Sequence, residues 1–164
     1  MVAILFVCTA NICRSPMAEL VLKARRSGFG AGAQEAFNLV QSAGAQADPR
    51  AQKIDARAAA ALLRQQLMPD KKWRSRRVQP ADFERFDLLL AMESQNLLDL
   101  KRQCPPELQY KLKLLLDFVP GFEGRDLPDP YFGPAAGFDH VLALIERGVA
   151  GLGEAWRRGE LGQR

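Results

Sequence analysis

The sequence predicts an α/β fold: one doubly wound, four-stranded parallel sheet with helices on both faces. Two observations carry this. Short apolar runs at 2–7, 37–41, 86–92 and 112–116 are each followed, across a loop, by a stretch with helical periodicity. The run from Phe86 to Met92 is almost entirely apolar, as a strand covered on both faces has to be. Strands that alternate with helices in this way join by right-handed crossovers into an open parallel sheet.

The first strand, Val2 to Val7, stops at Cys8, and Ser15-Pro16 opens a helix that runs to about Ser27. Ser15 suits a cap and Pro16 the first helical turn, where no N–H is needed. Met17, Leu20, Val21 and Ala24 form the inner stripe of that helix, with Glu19 and Lys23 outside it. Gly28, Gly30 and Gly32 end it. Phe37 to Gln41 is the second strand, which delivers Ser42-Ala-Gly44 at its carboxyl end; a loop covers 45–54, and Asp55 caps an Ala-rich helix reaching Leu67. The polar connection 68–80 holds Lys71, Lys72, Arg74, Arg76 and Arg77, which reads as a solvated face or a docking patch for an acidic partner. The third strand, Phe86 to Met92, leads into a helix from Glu93 to Arg102 that Pro105-Pro106 stops. Leu112 to Leu116 is the fourth strand, Asp117 to Pro134 a long loop, and Gly137 to Arg157 the last helix. Phe138, Val141, Leu142, Ile145, Val149, Leu152 and Trp156 keep helical spacing along it. The chain reads as a single domain, 1–164, with a frayed tail at 158–164. In this flavodoxin-like arrangement ligands sit outside the carboxyl ends of the strands, which is where Cys8, Ser42 and the loop after the fourth strand converge.

Composition narrows the function classes. The 164 residues are 48% hydrophobic and 26% charged, a globular balance with enough apolar material for one core. No apolar run approaches the roughly 20 residues that cross a bilayer, and the N-terminal apolar run begins at Val2 with no basic leader and is too short for a secretory signal, so the expectation is a cytoplasmic protein with no membrane partner. A net charge of +4 suits an acidic or phosphorylated substrate and is too small to imply nucleic acid. Three cysteines (Cys8, Cys13 and Cys104) argue against a disulfide scaffold and for reduced thiols.

The chemistry concentrates between Val2 and Pro16. A loop from a buried strand to a helix N-terminus turns several backbone N–H groups towards one point, and the helix dipole adds to them. The ligand this suits is an anion with several oxygens, phosphate above all. Cys8 at the floor of such a cradle has its thiolate favoured by those N–H groups and by Arg14, and is placed to attack phosphorus.

Cys8-Thr-Ala-Asn-Ile-Cys-Arg14-Ser-Pro, followed by Met-Ala-Glu, resembles the signature loop of the low-molecular-weight protein tyrosine phosphatases. Asp129-Pro-Tyr-Phe-Gly133 is similar to the family's general-acid loop. Ser42-Ala-Gly44, Asp55-Ala-Arg57 and Phe86 to Met92 with Asn96-Leu fall in the family's order, so the resemblance extends from about Val2 to about Trp156. It implies hydrolysis of protein phosphotyrosine through a cysteinyl-phosphate, with no metal and no cofactor, and with phosphate or similar oxyanions as competitive ligands. It also implies roles. Cys8 is the nucleophile; Arg14 and the N–H groups of Thr9, Ala10, Asn11, Ile12 and Cys13 hold the phosphate; Asp129, rather than Asp126, is the acid and base. Ser15 and Ser42 support the loop, Asn11 keeps it in a left-handed turn, and Tyr131 stacks on the leaving group. Cys13 is a candidate redox partner for Cys8.

The sequence also departs from the family. Asp48-Pro49-Arg50 stands where many members carry an aromatic residue beside the pocket, which predicts a more polar wall, and Trp73 lies near where many carry a histidine bracing the loop. Two other functions share these features. An arsenate reductase of the same fold needs two further cysteines, and Cys104 has no neighbour to pair with. A phosphoprotein-binding module without turnover is expected where Cys8, Arg14 or Asp129 is replaced, and all three are present.

Overall fold

A computed structural model describes residues 1–161. Four strands, β1 (Ile4–Cys8), β2 (Val40–Gly44), β3 (Leu88–Ala91) and β4 (Leu112–Leu114), form one sheet in the order β2-β1-β3-β4, with every pair parallel. The helices are α1 (Arg14–Arg25), α2 (Ala33–Ala36), α3 (Ala56–Arg64), α4 (Asp82–Arg85), α5 (Ser94–Gln103) and α6 (Ala136–Arg157). Because β1 alternates faces, it separates two cores. Ile4 and Phe6 join Met17 and Leu22 of α1, Ala58 and Leu62 of α3, and the stripe of α6 on one side. Leu5 and Val7 join Phe83 of α4 and Leu100 of α5 on the other. Both faces are therefore covered, which makes this the doubly wound, flavodoxin-like sheet. The chain leaves β1 for β2 on one flank and returns to β3 on the other, so the strand order reverses at the carboxyl end of β1.

Several elements differ from their sequence-based bounds, each for a local reason. The second strand begins at Val40, not Phe37, because the Phe37 N–H closes the short helix α2 on the Ala33 carbonyl (2.9 Å). Burial of Phe37 comes instead from ring contacts with Phe29 and Trp156, at 5.6 and 6.1 Å between centroids. Ser42 consequently lies inside β2 rather than beyond it. β4 stops at Leu114, where the Asp117 carboxylate accepts the Leu114 N–H (3.1 Å) and a 3₁₀ turn over Leu115–Phe118 takes over. α3 ends at Arg64, with Gln66 at φ 61°. Of the basic run, Arg76 is turned inward, its guanidinium on both oxygens of Asp82 (2.9 and 3.1 Å). Of the expected tail, residues 158–161 close α6 through bonds such as Glu160 N–H to the Ala155 carbonyl (2.9 Å); 162–164 lie outside the described residues. Among the described residues no helix is long and apolar enough to cross a membrane.

Candidate active site

Between the end of β1 and the start of α1, residues 8–13 must reverse the chain within a few residues. Asn11 makes this turn at φ 58°, a left-handed conformation that Asn tolerates better than most residues. The loop's carbonyls are tied outward. Those of Cys8, Thr9 and Ile12 accept the N–H groups of Ala45, Gln46 and Asp55 at 2.8, 2.9 and 2.8 Å. In a trans peptide the N–H points opposite to the carbonyl, so the N–H groups of Thr9, Ala10 and Cys13 face the other way, into the loop. Gly44 permits this docking, since a Cβ there would lie 2.7 Å from the Thr9 carbonyl oxygen.

The Cys8 sulfur sits at the floor, in a residue only 3% exposed. It accepts the Asn11 N–H at 3.3 Å and lies 2.9 Å from Ser15 Oγ. Behind it runs a buried polar chain. Asn11 Nδ2 donates to Ser15 Oγ (2.8 Å) and Ser42 Oγ (3.0 Å), Ser42 Oγ donates to Glu19 Oε1 (2.7 Å), and Arg76 N–H donates to Asn11 Oδ1 (2.9 Å). Ser15 also lies 3.3 Å from the Ala43 carbonyl, so its one proton is shared between that oxygen and the sulfur; a thiolate draws it.

Arg14 is 2% exposed and fixed at both ends of its fork. Nη1 donates to the Leu127 carbonyl (3.0 Å) and Nη2 to Glu93 Oε1 (3.2 Å), while Asp129 Oδ2 lies 3.5 Å from Nη2. One guanidinium thereby gathers the loop after β1, the end of β3 and the segment before α6. Asp129 is 41% exposed in its side chain, and its other oxygen accepts the Tyr131 N–H (3.1 Å). Asp126 is engaged elsewhere: its carboxylate accepts the N–H and hydroxyl of Ser94 at the start of α5 (2.8 and 2.7 Å).

Arg57 holds the far rim. It pairs with Asp55 (3.0 Å), donates to the Tyr131 carbonyl (2.9 Å), and lies 5.2 Å from the Tyr131 ring centre and 4.6 Å from that of Phe138. Tyr131 and Phe132 meet edge to face at 4.9 Å. Together with Cys8, Ile12, Arg14 and Asp129 these two rings line a cavity of about 270 Å³. The polar wall expected from Asp48-Pro49-Arg50 is not part of that lining: the Arg50 N–H and guanidinium fold back on the Asp48 carboxylate. Cys13 is buried beside the cavity, its thiol pushed up to about 12 by burial first and then by the charges of Asp55 and Cys8. Cys104 lies in the core on the opposite face of the sheet from Cys8.

The sequence-predicted residues Cys8 to Ser15, Ser42, Asp129 and Tyr131 therefore converge. Sequence reasoning did not single out Glu93, Glu19, Arg57 or Phe132 for the site. Glu93 follows a strand at its carboxyl end, a position the sheet topology marks. Glu19 falls outside the apolar stripe of α1, yet it is 7% exposed because the 68–80 connection covers it; that packing has no sequence signal.

A thiol and an arginine at an N–H-lined loop, on the switch point of a doubly wound sheet, give this α/β protein a site of the kind that suits a tetrahedral oxyanion. The sequence model of the low molecular weight phosphotyrosine protein phosphatases matches residues 3–160, and the chain belongs to that family of protein-tyrosine-phosphatases. It is 38% identical over 152 residues to a low molecular weight protein-tyrosine-phosphatase of Streptomyces coelicolor, covering 90% of this chain and 88% of that one. Among solved structures, a protein tyrosine phosphatase from Entamoeba histolytica superposes with TM-score 0.89 at 31% identity, over 98% of this chain and 100% of the other. The tyrosine phosphatase Wzb from Escherichia coli K30, solved in complex with sulphate, superposes with TM-score 0.79 at 28% identity, over 94% and 97%.

Proposed function

We propose that the chain hydrolyses protein phosphotyrosine by two displacements at phosphorus, without metal or cofactor. The observation that carries this reading is Arg14 beside Asp129, 3.5 Å apart, across the cavity whose floor is the Cys8 sulfur. The Cys8 thiolate attacks phosphorus while the P–O bond to the phenol breaks, and Asp129 gives its proton to the departing oxygen. In the second step a water attacks phosphorus, its proton passes to Asp129, and the S–P bond breaks to release phosphate and the thiolate. Arg14 and the N–H groups of Thr9, Ala10, Asn11, Ile12 and Cys13 bind the equatorial oxygens in a preorganised frame. A bound phosphate competes with Asp129 for Arg14, which releases the carboxyl from the guanidinium to reach the departing oxygen.

Tyr131 and Phe132 give the leaving group an aromatic rim. A cavity of about 150 Å³ is enough for benzene, so about 270 Å³ takes a phenyl ring with its phosphoryl group. Ser15 supports thiolate departure through its shared proton, and Ser42 holds Asn11. Inorganic phosphate and sulfate are expected competitive ligands, in keeping with the sulphate complex of the Escherichia coli relative. The site suits a protein of the cytoplasm, where Cys8 and Cys13 stay reduced. Arsenate reduction is disfavoured because the core position of Cys104 leaves no relay of thiols.

The test is phosphate release, with chelator present, from a phosphotyrosine peptide, a phosphoserine peptide, and arsenate with a thiol. Release from phosphotyrosine alone is expected. Silence on all three with phosphate still bound would replace this reading by a phosphoprotein-binding module.

A further inference from the structure

Beyond the catalytic cavity, a second cavity of about 180 Å³ opens between α1 and the 68–73 connection. Its walls are Leu20, Ile54, Met68 and the indole of Trp73, and its polar lining is Glu19, Lys23 and Asp70. We propose that this cavity is a binding site for a small aromatic cation, and that its occupancy is felt at the phosphate loop through Trp73 and Glu19.

The size and walls set the aromatic part. A dry cavity of about 150 Å³ lined by apolar side chains takes up benzene, so about 180 Å³ accepts a substituted single ring. The charges set the sign. Glu19 and Lys23 neutralise one another across 2.6 Å. Asp70 takes the Lys72 N–H at 2.8 Å but forms no ion pair among the described residues, so the lining carries one uncompensated negative charge beside an aromatic ring. Within this lining a cation meets the Asp70 carboxylate, and a neutral ring leaves Asp70 unanswered.

The coupling follows from the hydrogen bonds. Trp73 Nε1 donates to Glu19 Oε1 (3.2 Å), the same oxygen that receives the Ser42 hydroxyl at 2.7 Å. Ser42 is bound by Asn11, and Asn11 by Ser15, which contacts the Cys8 sulfur at 2.9 Å. The Glu19 side chain, 9% exposed, is thus shared between the wall of one cavity and the underside of the other. A ligand packed on the indole holds Trp73 against Glu19, and so meets in advance part of the ordering cost that an anion in the loop must otherwise bear. The effect is reciprocal: whatever factor the cation gives phosphate, phosphate returns to the cation.

Benzamidine is the probe, with benzamide (neutral) and benzoate (anionic) as isosteric controls. The indole N–H resonance of Trp73, assigned by its loss in Trp73→Phe, is followed during each titration. Benzamidine is expected to shift it saturably and benzamide more weakly, with no response to benzoate; Asp70→Asn is expected to weaken benzamidine several-fold and leave benzamide unchanged. An equal response to all three compounds, or none to benzamidine, overturns the site. Coupling is read as the dissociation constant of inorganic phosphate with and without saturating benzamidine. A two- to five-fold tightening is expected, and an unchanged constant overturns the link. This second measurement alone rests on the phosphate loop. No phosphate binding in either condition would overturn both the link and the loop's assignment, while the indole titration still decides the cavity.

Discussion

Cys8 and Asp129 perform different parts of the proposed reaction, and each can be removed without disturbing what the other does. The sulfur is bound by a backbone N–H and a hydroxyl, and the cradle around it is backbone, so replacing the sulfur leaves the anion site intact. Cys8→Ser is therefore expected to abolish turnover while inorganic phosphate still binds within a few-fold of the wild-type affinity, measured by ³¹P line broadening. Turnover by this variant would reject the nucleophile assignment. Asp129 is half exposed and, among the described residues, held by the Tyr131 N–H and Arg14, so its loss costs little stability. Asp129→Ala should slow hydrolysis of phenyl phosphate by about 10²–10⁴-fold, the usual worth of a positioned acid. An activated nitrophenyl ester, whose leaving group needs no proton, should lose far less. Equal losses on the two esters would place the acid elsewhere. Both were picked out in the sequence, Cys8 by its place between a buried strand and a helix start and Asp129 by the resemblance of its loop, and Arg14 brings the two segments together in the fold. Glu19 and Arg57 were not, because their roles come from what packs over them: the 68–80 connection in one case and the Tyr131 ring in the other.

At the scale of elements, the proposed catalytic cavity is assembled by segments that meet at close approach. β2 presses on the phosphate loop through Gly44, where an added methyl would sit 2.7 Å from the Thr9 oxygen and 2.8 Å from Ala47 Cβ. Backbone cannot yield as a flexible side chain does, so Gly44→Ala should cost about 1–3 kcal/mol in urea unfolding, the usual cost of overpacking. Its activity should fall more than its stability suggests, because the strain falls on the Thr9 peptide. α3 reaches the site differently. Its cap, Asp55, accepts the Arg57 N–H (2.8 Å), and Arg57 in turn grips the Tyr131 carbonyl, so the helix start clamps the loop that carries Asp129, the proposed acid. Arg57→Met keeps the bulk but not the fork. About a tenfold loss of kcat with phenyl phosphate is expected, because small misplacements of an acid are costly, with a smaller loss on the nitrophenyl ester. A loss confined to KM would assign Arg57 to substrate binding instead. The four strands and the longer helices α1, α3, α5 and α6 were readable from periodicity, but their ends were not, and the one-turn helices α2 and α4 are too short to show a period. Phe37 looked like strand because it is apolar in an apolar run, whereas its burial comes from Phe29 and Trp156, which no local pattern announces.

Across the whole molecule, the sheet brings Cys8 and Asp129 to one edge only because β1, β3 and the connection to α6 end on the same side, and Arg14 spans all three. Such a junction links the site to global stability, and Cys13 shows the sign of that linkage. The residue is 5% exposed, and its thiol is pushed up to about 12, from 9.0, by burial and by the charges of Asp55 and Cys8. The folded state thus holds the Cys13 proton more tightly than the unfolded chain does. That contribution is complete below pH 9 and is lost as the pH rises from about 9 towards about 12, where folded Cys13 must ionise against its surroundings. Cys13→Ala removes the titrating group, together with some packing that does not depend on pH. The stability difference between wild type and variant should therefore be constant from pH 6 to 8 and shrink by about 1–3 kcal/mol between pH 8 and 11, because each pH unit in which only the unfolded thiol is ionised is worth about 1.36 kcal/mol. Lysines and tyrosines that titrate in the same range are common to both proteins and cancel in the difference. Paired urea unfolding curves at pH 7, 8, 9.5 and 11 measure it. A difference that stays flat to pH 11 would mean that the folded chain opens around Cys13 before the thiol ionises. In that case the floor of the phosphate loop would be the first part of the molecule to give way in alkali.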